Sequence, residues 1–235
     1  MPTRLDGRRL PFLLVVMVSL AGAGRAPDFE PKPQVAGDLP LVFRADFEKA
    51  DLSGWDFTDK AAWRITDLEE NRVLDQFQAS KYQPKVRSPF NIALIPDSDV
   101  GDFVLDLKVR STARDYGHRD LCLFFGHQDP SHFYYVHMAK QADPHANNIF
   151  LVNNQPRIAI AEATTKGTNW TDGWHHVRLV RKIDDGLIQV FFDNMTTPIM
   201  TAHDRTFSHG RVGVGSFDDT GQFDDIQLWG AKAKP

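Results

Sequence analysis

Asp102-Phe-Val-Leu-Asp-Leu-Lys-Val-Arg110 is the stretch that decides the fold, because apolar and polar side chains alternate along it. A period of two residues is typical of a β-strand with one buried face. The phase predicts that Phe103, Leu105, Leu107 and Val109 face the core and that the intervening side chains point the opposite way. The strand is therefore expected to lie in a sheet that covers a hydrophobic core.

The sequence after this strand predicts a β-hairpin. Residues 120–127 and 133–139 also alternate, and the turn-forming residues Asp129-Pro-Ser-His132 lie between them. We expect residues 101–138 to form three consecutive strands of one antiparallel sheet. On the core side, the hairpin would place these residues: Leu121, Leu123, Phe125, Tyr134, Val136 and Met138. The face of that sheet turned away from the core would carry these side chains: Asp106, Lys108, Arg110, Asp120, Cys122, Phe124, Tyr135 and His137.

Short alternating segments separated by turn residues continue along most of the chain, and none shows a sustained helical period with caps. Many short strands with regular turns are typical of a sandwich of two sheets. The sequence therefore predicts an all-β protein, a two-sheet antiparallel β-sandwich of the jelly-roll type.

The beginning of the chain resembles a signal peptide. Arginines precede the apolar run of residues 10–20, and small residues follow it, so we expect residues 1–23 to be cleaved. The run is short for a membrane span. The mature protein is thus expected to be exported, periplasmic or extracellular, with no stable membrane insertion. Residues 24–40 contain several prolines and predict a spacer, residues 41–230 the jelly-roll domain, and residues 231–235 a tail.

Composition limits the classes of partner. The net charge is −4 and basic residues are mixed with acidic ones, so nothing favours a nucleic-acid partner. A single cysteine, Cys122, excludes an intramolecular disulfide. Among the tryptophans, Trp170 is expected to be the best exposed because turn-forming residues surround it.

Three parts of the sequence resemble a known superfamily. Trp174-His-His-Val-Arg-Leu-Val-Arg181, followed by Gly186-Leu-Ile-Gln-Val-Phe-Phe-Asp193, is similar to a hairpin of concanavalin A-like lectin/glucanase domains. Residues 210–226 resemble the end of those domains. Residues 46–66 resemble bacterial secreted members that include the 3-keto-disaccharide hydrolase domain. The resemblance extends over residues 41–230.

This resemblance implies a laminin G-like jelly roll whose ligand lies across the concave face of one sheet. It implies an exported protein that binds a carbohydrate or glycoconjugate or processes a glycoside. Laminarinase-like members carry the pattern E-x-D-x-x-E, which is missing here. An enzyme of this sequence would therefore be a glycoside hydrolase or lyase without the two-glutamate motif. The alternative is a non-catalytic adhesion or scaffold module of laminin G type.

The outward side chains provide a candidate site, because sugar recognition uses planar hydrogen-bonding groups and aromatic rings. His137 and Asp120 are the candidate general acid or base. The candidate substrate-binding residues are Asp106, Lys108, Arg110, Arg119, Phe124, Tyr135 and Asn148. The same alternation is also typical of a solvated face with cross-strand ion pairs, and a register shift of one residue would exchange the faces.

The resemblance also implies one structural Ca²⁺ between the first and last strands. Asp46 or Glu48, together with Asp224 or Asp225, would supply carboxylate ligands, and we expect Asp46 and Asp225 to do so. No other cofactor is expected. The spacings of the histidines match no compact transition-metal motif.

Overall fold

The computed structural model describes residues 29–49 and 51–233, so the predicted signal peptide lies outside the described residues. Two short 3₁₀ turns, Gln34–Ala36 and Lys60–Ala62, are the helical elements in this part of the chain. No helix among the described residues is long and apolar enough to cross a membrane.

Antiparallel strands make up the rest of the regular structure, as expected for a chain with alternating polarity and frequent turns. The strands are β1 Leu41–Ala45, β2 Asp56–Phe57, β3 Trp63–Leu68, β4 Asn71–Gln76, β5 Asn91–Leu94, β6 Val100–Ser111, β7 Asp120–Asp129, β8 His132–Ala139, β9 Asn148–Asn153, β10 Ile158–Ala159, β11 Ala163–Thr164, β12 His175–Arg181, β13 Leu187–Phe192, β14 Met200–His203, β15 Arg211–Ser216 and β16 Gly221–Lys232.

The strands form two sheets. The nine-stranded sheet has the order β11-β14-β13-β12-β6-β16-β4-β3, and β1 pairs with the second half of β16. The seven-stranded sheet has the order β10-β9-β8-β7-β15-β5-β2. The predicted two-sheet antiparallel β-sandwich of the jelly-roll type is therefore confirmed.

The inner faces of the two sheets enclose the main hydrophobic core. Along each strand, every second side chain points into the core, and the side chains between them point away from it. The inward residues predicted for the three strands all belong to this core: Phe103, Leu105, Leu107, Val109, Leu121, Leu123, Phe125, Tyr134, Val136 and Met138.

The predicted arrangement of these strands in one sheet is wrong. Strand β6 pairs with β12 and β16 in the nine-stranded sheet, whereas β7 and β8 pair in the seven-stranded sheet. Residues 112–119 carry the chain from one sheet to the other. Alternation shows that one face of a strand is buried, and this is equally true in both sheets. The outward side chains of β6 therefore lie on the opposite side of the sandwich from those of β7 and β8.

The predicted spacer packs against the nine-stranded sheet from residue 29 onward. Ala36 and Leu39 contact the outer face, where Val104 and Trp229 form a second apolar cluster with them. The side-chain amide of Gln227 donates to the carbonyl of Glu30 at 2.8 Å. This part of the segment is therefore fixed by apolar burial and hydrogen bonding. At the other end of the domain, β16 continues through residue 232.

A glycine on β15 allows the close approach of β5. A methyl group added at Gly215 would overlap the backbone carbonyl of Asn91, whereas one at Gly173 has its nearest contact at 3.5 Å, with Thr171. We expect Gly215→Ala to lower the free energy of unfolding by about 2 kcal/mol or more and Gly173→Ala by less than about 0.5 kcal/mol. Urea denaturation of both variants measures the difference. Equal stabilities would contradict the observed separation of β5 and β15.

Candidate functional site

The structure divides the predicted site residues between the two outer faces of the sandwich. The expected single face therefore does not form, because β6 and the β7–β8 hairpin belong to different sheets. The nine-stranded sheet carries Asp106, Lys108 and Arg110, and the seven-stranded sheet carries Asp120, Phe124, Tyr135, His137 and Asn148.

Asp106 and Lys108 are held in cross-strand ion pairs. The buried carboxylate of Asp106 accepts from Nε2 of His176 and, at 2.6 Å, from Nε of Arg178. Lys108 Nζ lies 3.1 Å from a carboxylate oxygen of Asp225. This arrangement is the ion-paired face of the alternative interpretation, and it leaves Asp106 without a free oxygen for a ligand.

Arg119, a predicted substrate-binding residue, is buried and only 2% exposed. Its guanidinium donates to the carbonyl of Ser111 at 2.8 Å and to the carboxylate of Asp172 at 2.9 Å. Arg110 donates through Nε to the backbone carbonyl of Asp172 at 3.0 Å. The two arginines thus hold the loop before β12 through the backbone carbonyl and the carboxylate of Asp172.

Phe124 and Tyr135 are also buried, although we expected them on an open groove. Both side chains have 0% exposure, and Val86 and Phe217 pack against their cluster. The ring of Tyr135 stacks on Phe150 with centroids 5.1 Å apart. An aromatic sheet face that is exposed to water is unfavourable, and the segments that carry Val86 and Phe217 cover this one. Neither ring is available to a sugar.

Two further predictions concern residues outside the strands' central parts. The side-chain oxygen of Asn148 accepts the amide of Ala161 at 3.1 Å, so it is engaged within the protein. Trp170, expected to be the best-exposed tryptophan, is buried and donates to the carbonyl of Met138 at 2.7 Å. Its surrounding turn residues predicted a loop correctly but not the burial of the indole.

The predicted catalytic pair does meet. Nε2 of His137 lies 3.2 Å from Oδ2 of Asp120, and its Nδ1 lies 3.2 Å from the carbonyl oxygen of His145. Oδ2 of Asp120 also accepts the amide of Phe217 at 2.9 Å and faces the thiol of Cys122 at 3.3 Å. Both ring nitrogens of His137 therefore face oxygen acceptors. A catalytic role for this pair stays a prediction.

Three buried polar atoms near this pair have no hydrogen-bond partner within the described part of the chain. They are Oδ1 of Asp120, the hydroxyl of Tyr135 and Nη1 of Arg157. The Arg157 guanidinium lies 4.3 Å from the Phe217 ring and donates through Nη2 to the carbonyl of His145. Buried polar atoms without partners are rare in proteins and often mark a site for a ligand or ion. We call Asp120, Cys122, Tyr135, His137 and Arg157 the His137 cluster.

Sequence reasoning missed Arg157, because it lies between β9 and β10 and belongs to no motif. Two aspartates that the site prediction did not include, Asp218 and Asp219, border the His137 cluster. Burial and the charge of Asp120 raise the pKa of Asp218, and the same causes raise that of Asp219 to about 6. Carboxylate oxygens of Asp120, Asp218 and Asp219 lie within 4.8 Å of one another. Their mutual repulsion favours a proton or a cation between them.

The structure does not group Asp46 and Asp225 with a third metal-ligating side chain among the described residues. The carboxylate of Asp46 accepts the amide of Glu48 at 3.2 Å, and that of Asp225 is paired with Lys108. Each carboxylate therefore already has a protein partner. The structural Ca²⁺ at these two residues stays a prediction.

An open cleft of about 410 Å³ lies beside the nine-stranded sheet. The turn between β3 and β4 contributes one wall, and the ends of β6 and β12 contribute the other. We call it the Trp174 cleft, and its lining residues are Leu68, Glu69, Glu70, Asn71, Arg110 and Trp174. Of the predicted substrate-binding residues, Arg110 lines this cleft.

The buried carboxyl group of Asp224 contacts Asn71, one of the residues that line this cleft. Asn71 donates through Nδ2 to Oδ2 of Asp224 at 2.8 Å, and Asp224 is only 4% exposed. Burial raises the pKa of Asp224 to about 7, and the neighbouring charge of Asp225 adds to the increase. Its Oδ1 has no hydrogen-bond partner in the described residues. The protonated carboxyl is therefore the form that suits this position at neutral pH or below.

A smaller cleft of about 190 Å³ lies on the other sheet, around β2 and β5. Tyr82, Ile92, Leu94 and His127 line it, and its surface is mainly apolar. Burial lowers the pKa of His127 to about 4, so the imidazole is neutral at physiological pH. This cleft offers an aromatic ring but fewer charged groups than the Trp174 cleft.

Comparisons with known proteins support the fold. Carbohydrate-binding module CBM66 from Bacillus subtilis is 17% identical with a TM-score of 0.54, over 76% of this chain and 97% of that chain. Domain 4 of AbnA, a GH43 extracellular arabinanase from Geobacillus stearothermophilus, is 12% identical with a TM-score of 0.52, over 84% and 95%. Both structures share the jelly-roll sandwich fold of this chain.

The GH43 protein BlXynB from Bacillus licheniformis also matches, at 9% identity and a TM-score of 0.55, over 80% of this chain and 39% of that chain. No protein-family model matches the chain, and no curated protein matches it either. At these identities the likeness to solved structures shows the fold, and residue roles have to come from this chain's own geometry.

The raised pKa of Asp224 predicts a pH-dependent stability. A carboxyl group whose pKa is higher in the folded than in the unfolded state contributes stability below its unfolded pKa, and this contribution is lost as pH rises towards about 7. Asp224→Asn keeps an acceptor for Asn71 and cannot ionise. We expect the variant to be more stable than the wild type by on the order of 2 kcal/mol at about pH 8, and equally stable near about pH 4. Urea denaturation at both pH values tests this, and a pH-independent difference would contradict it.

Proposed function

We propose that the protein binds carbohydrate in the Trp174 cleft. One observation carries the proposal: the cleft places an indole beside two glutamates, an asparagine and an arginine. Sugars present an apolar C–H face and a rim of hydroxyl groups, which these two kinds of side chain recognise together. The cleft of about 410 Å³ falls in the size range of small-ligand sites.

Two of the polar groups are held in place before a ligand arrives. Arg110 is fixed through Nε by the carbonyl of Asp172, and Asn71 is fixed by its hydrogen bond to Asp224. Restricting these side chains in advance lowers the entropy lost on binding. Glu69 and Glu70 lie at the exposed tip of the β3–β4 turn, where their carboxylates are free to accept from sugar hydroxyls.

Fold likeness supports the same class of ligand by analogy. One structure of similar fold is a carbohydrate-binding module, and another is an arabinanase domain in complex with arabinotriose. Export, as predicted from residues 1–23, would bring the protein to polymeric carbohydrate outside the cell. A glycoside-processing activity at His137 and Asp120 would have to act on the opposite sheet, so we propose binding and not turnover for this cleft.

Substitution of the cleft tryptophan tests the proposal. Purified protein is screened on a glycan array, and the best soluble ligand, with arabinotriose included in the panel, is measured by isothermal titration calorimetry. We expect Trp174→Ala to weaken binding about tenfold or more, because the apolar platform is lost. Tyr82→Ala, which removes an aromatic ring from the smaller cleft, is the matched control and should bind as the wild type does.

The opposite pattern would assign the ligand elsewhere. Loss of binding in Tyr82→Ala with full binding in Trp174→Ala would place the sugar in the smaller cleft and reject the proposed site. Wild-type protein that binds no glycan on the array would favour the scaffold module of laminin G type. Circular dichroism of each variant establishes that the fold is retained.

A further inference from the structure

Three metal-ligating side chains of different chemistry meet at the start of the β7–β8 ladder. Cys122 on β7 lies directly opposite His137 on β8, and Asp120 precedes Cys122 by two residues on the same strand face. A ligand atom from each of the three lies within 4.8 Å of the others, and all three residues are buried. Antiparallel register therefore assembles a carboxylate, a thiol and an imidazole in one place.

The separations of the three groups suit a tetrahedral metal ion. Oδ2 of Asp120 lies 3.3 Å from Sγ of Cys122 and 3.2 Å from Nε2 of His137. Zinc bonds of about 2.3 Å to sulfur and about 2.0 Å to nitrogen or oxygen place tetrahedral ligands about 3.3 to 3.5 Å apart. Small shifts of these side chains would bring each donor atom to bonding distance.

The surrounding contacts orient the donors as they are oriented in metal sites. Nδ1 of His137 faces the carbonyl of His145, so its proton is directed there and Nε2 faces Asp120 and Cys122. Metal-binding histidines usually donate their other nitrogen to a carbonyl or carboxylate in this manner. The amide of Phe217 donates to Oδ2 of Asp120 and fixes the carboxylate.

A second observation points independently to a bound ion. Oδ1 of Asp120 is completely buried and has no hydrogen-bond partner within residues 29–49 and 51–233. Burying a carboxylate oxygen without a partner is costly unless a cation compensates it. A carboxylate oxygen of Asp218, a residue exposed to solvent, lies within 4.8 Å of a ligand oxygen of Asp120.

We propose that Asp120, Cys122 and His137 bind Zn²⁺ through the Asp120 carboxylate, Sγ and Nε2, with the remaining position open to water. Sulfur and imidazole donors favour zinc over Ca²⁺ or Mg²⁺, which prefer oxygen. Binding displaces the proton of the Cys122 thiol to solvent, and His137 binds as the neutral imidazole through Nε2. The dication then balances one thiolate and one carboxylate, so the buried site is neutral.

Cobalt substitution tests the site directly. Protein is freed of metal with a chelator under reducing conditions and titrated with Co²⁺. We expect a thiolate-to-cobalt charge-transfer band that saturates at one equivalent and disappears on addition of Zn²⁺. Because the chain has a single cysteine, that band can arise only from Cys122. Added Zn²⁺ should raise the melting temperature, and Ca²⁺ or Mg²⁺ should not.

Variants separate ligands from neighbours. Cys122→Ser, which conserves size and a polar atom, should abolish the band and weaken Zn²⁺ binding about 100-fold or more. His132→Gln changes another histidine of β8 and is the matched control, and it should keep the band and the affinity. The wild-type spectrum decides the question even where a ligand variant fails to fold.

Several results would overturn the assignment. Absence of the charge-transfer band in wild type would reject a metal–thiolate bond. Stabilisation by Ca²⁺ without stabilisation by Zn²⁺ would move the ion to the carboxylates of Asp120, Asp218 and Asp219. Equal Zn²⁺ affinity in wild type and Cys122→Ser would also reject the proposed ligand set. The site lies on the opposite sheet from the Trp174 cleft, so none of these results bears on sugar binding.

Discussion

Packing of the two inner sheet faces against each other is the constraint on which the rest of the structure depends. Strand β6 turns Leu105 and Leu107 into the core from one side, and β7 turns Leu121 and Leu123 into it from the other. On each strand, the side chains between these inward residues must then point away from the core. The two strands are adjacent in sequence, yet their outward residues lie on opposite surfaces of the molecule.

The two outer faces meet water in different ways, and this difference locates the sites. On the seven-stranded sheet, Phe124, Tyr135 and Phe150 form an apolar layer that covering segments bury. On the nine-stranded sheet, charged side chains pair across strands, as Asp106 does with Arg178. The two clefts described above lie at the margins, where turns and strand ends rise beside the sheets.

The sequence predicted which residues of β6, β7 and β8 enter the core, because alternation is a local property of the chain. It did not predict that β6 belongs to another sheet, since the pattern is the same in either sheet. Arg157 lies in a connection and acquires its importance only through the fold, beside Phe217 and Tyr135. The two tryptophans show the same limit. Turn residues around Trp170 predicted exposure, but tertiary packing buries it and leaves Trp174 in the open cleft.

Three buried aspartates show how partner chemistry separates structural from functional carboxylates. Asp106 accepts from His176 and from Arg178, and these pairs join β6 to β12. Asp224 receives mainly the amide of Asn71, and burial therefore raises its pKa to about 7. Asp120 lies between these cases, because a histidine and a thiol face one oxygen while the other has no partner. Among the three, Asp120 is the carboxylate that faces both an imidazole and a thiol and also has an oxygen without a partner, so it is the position where we propose a cation.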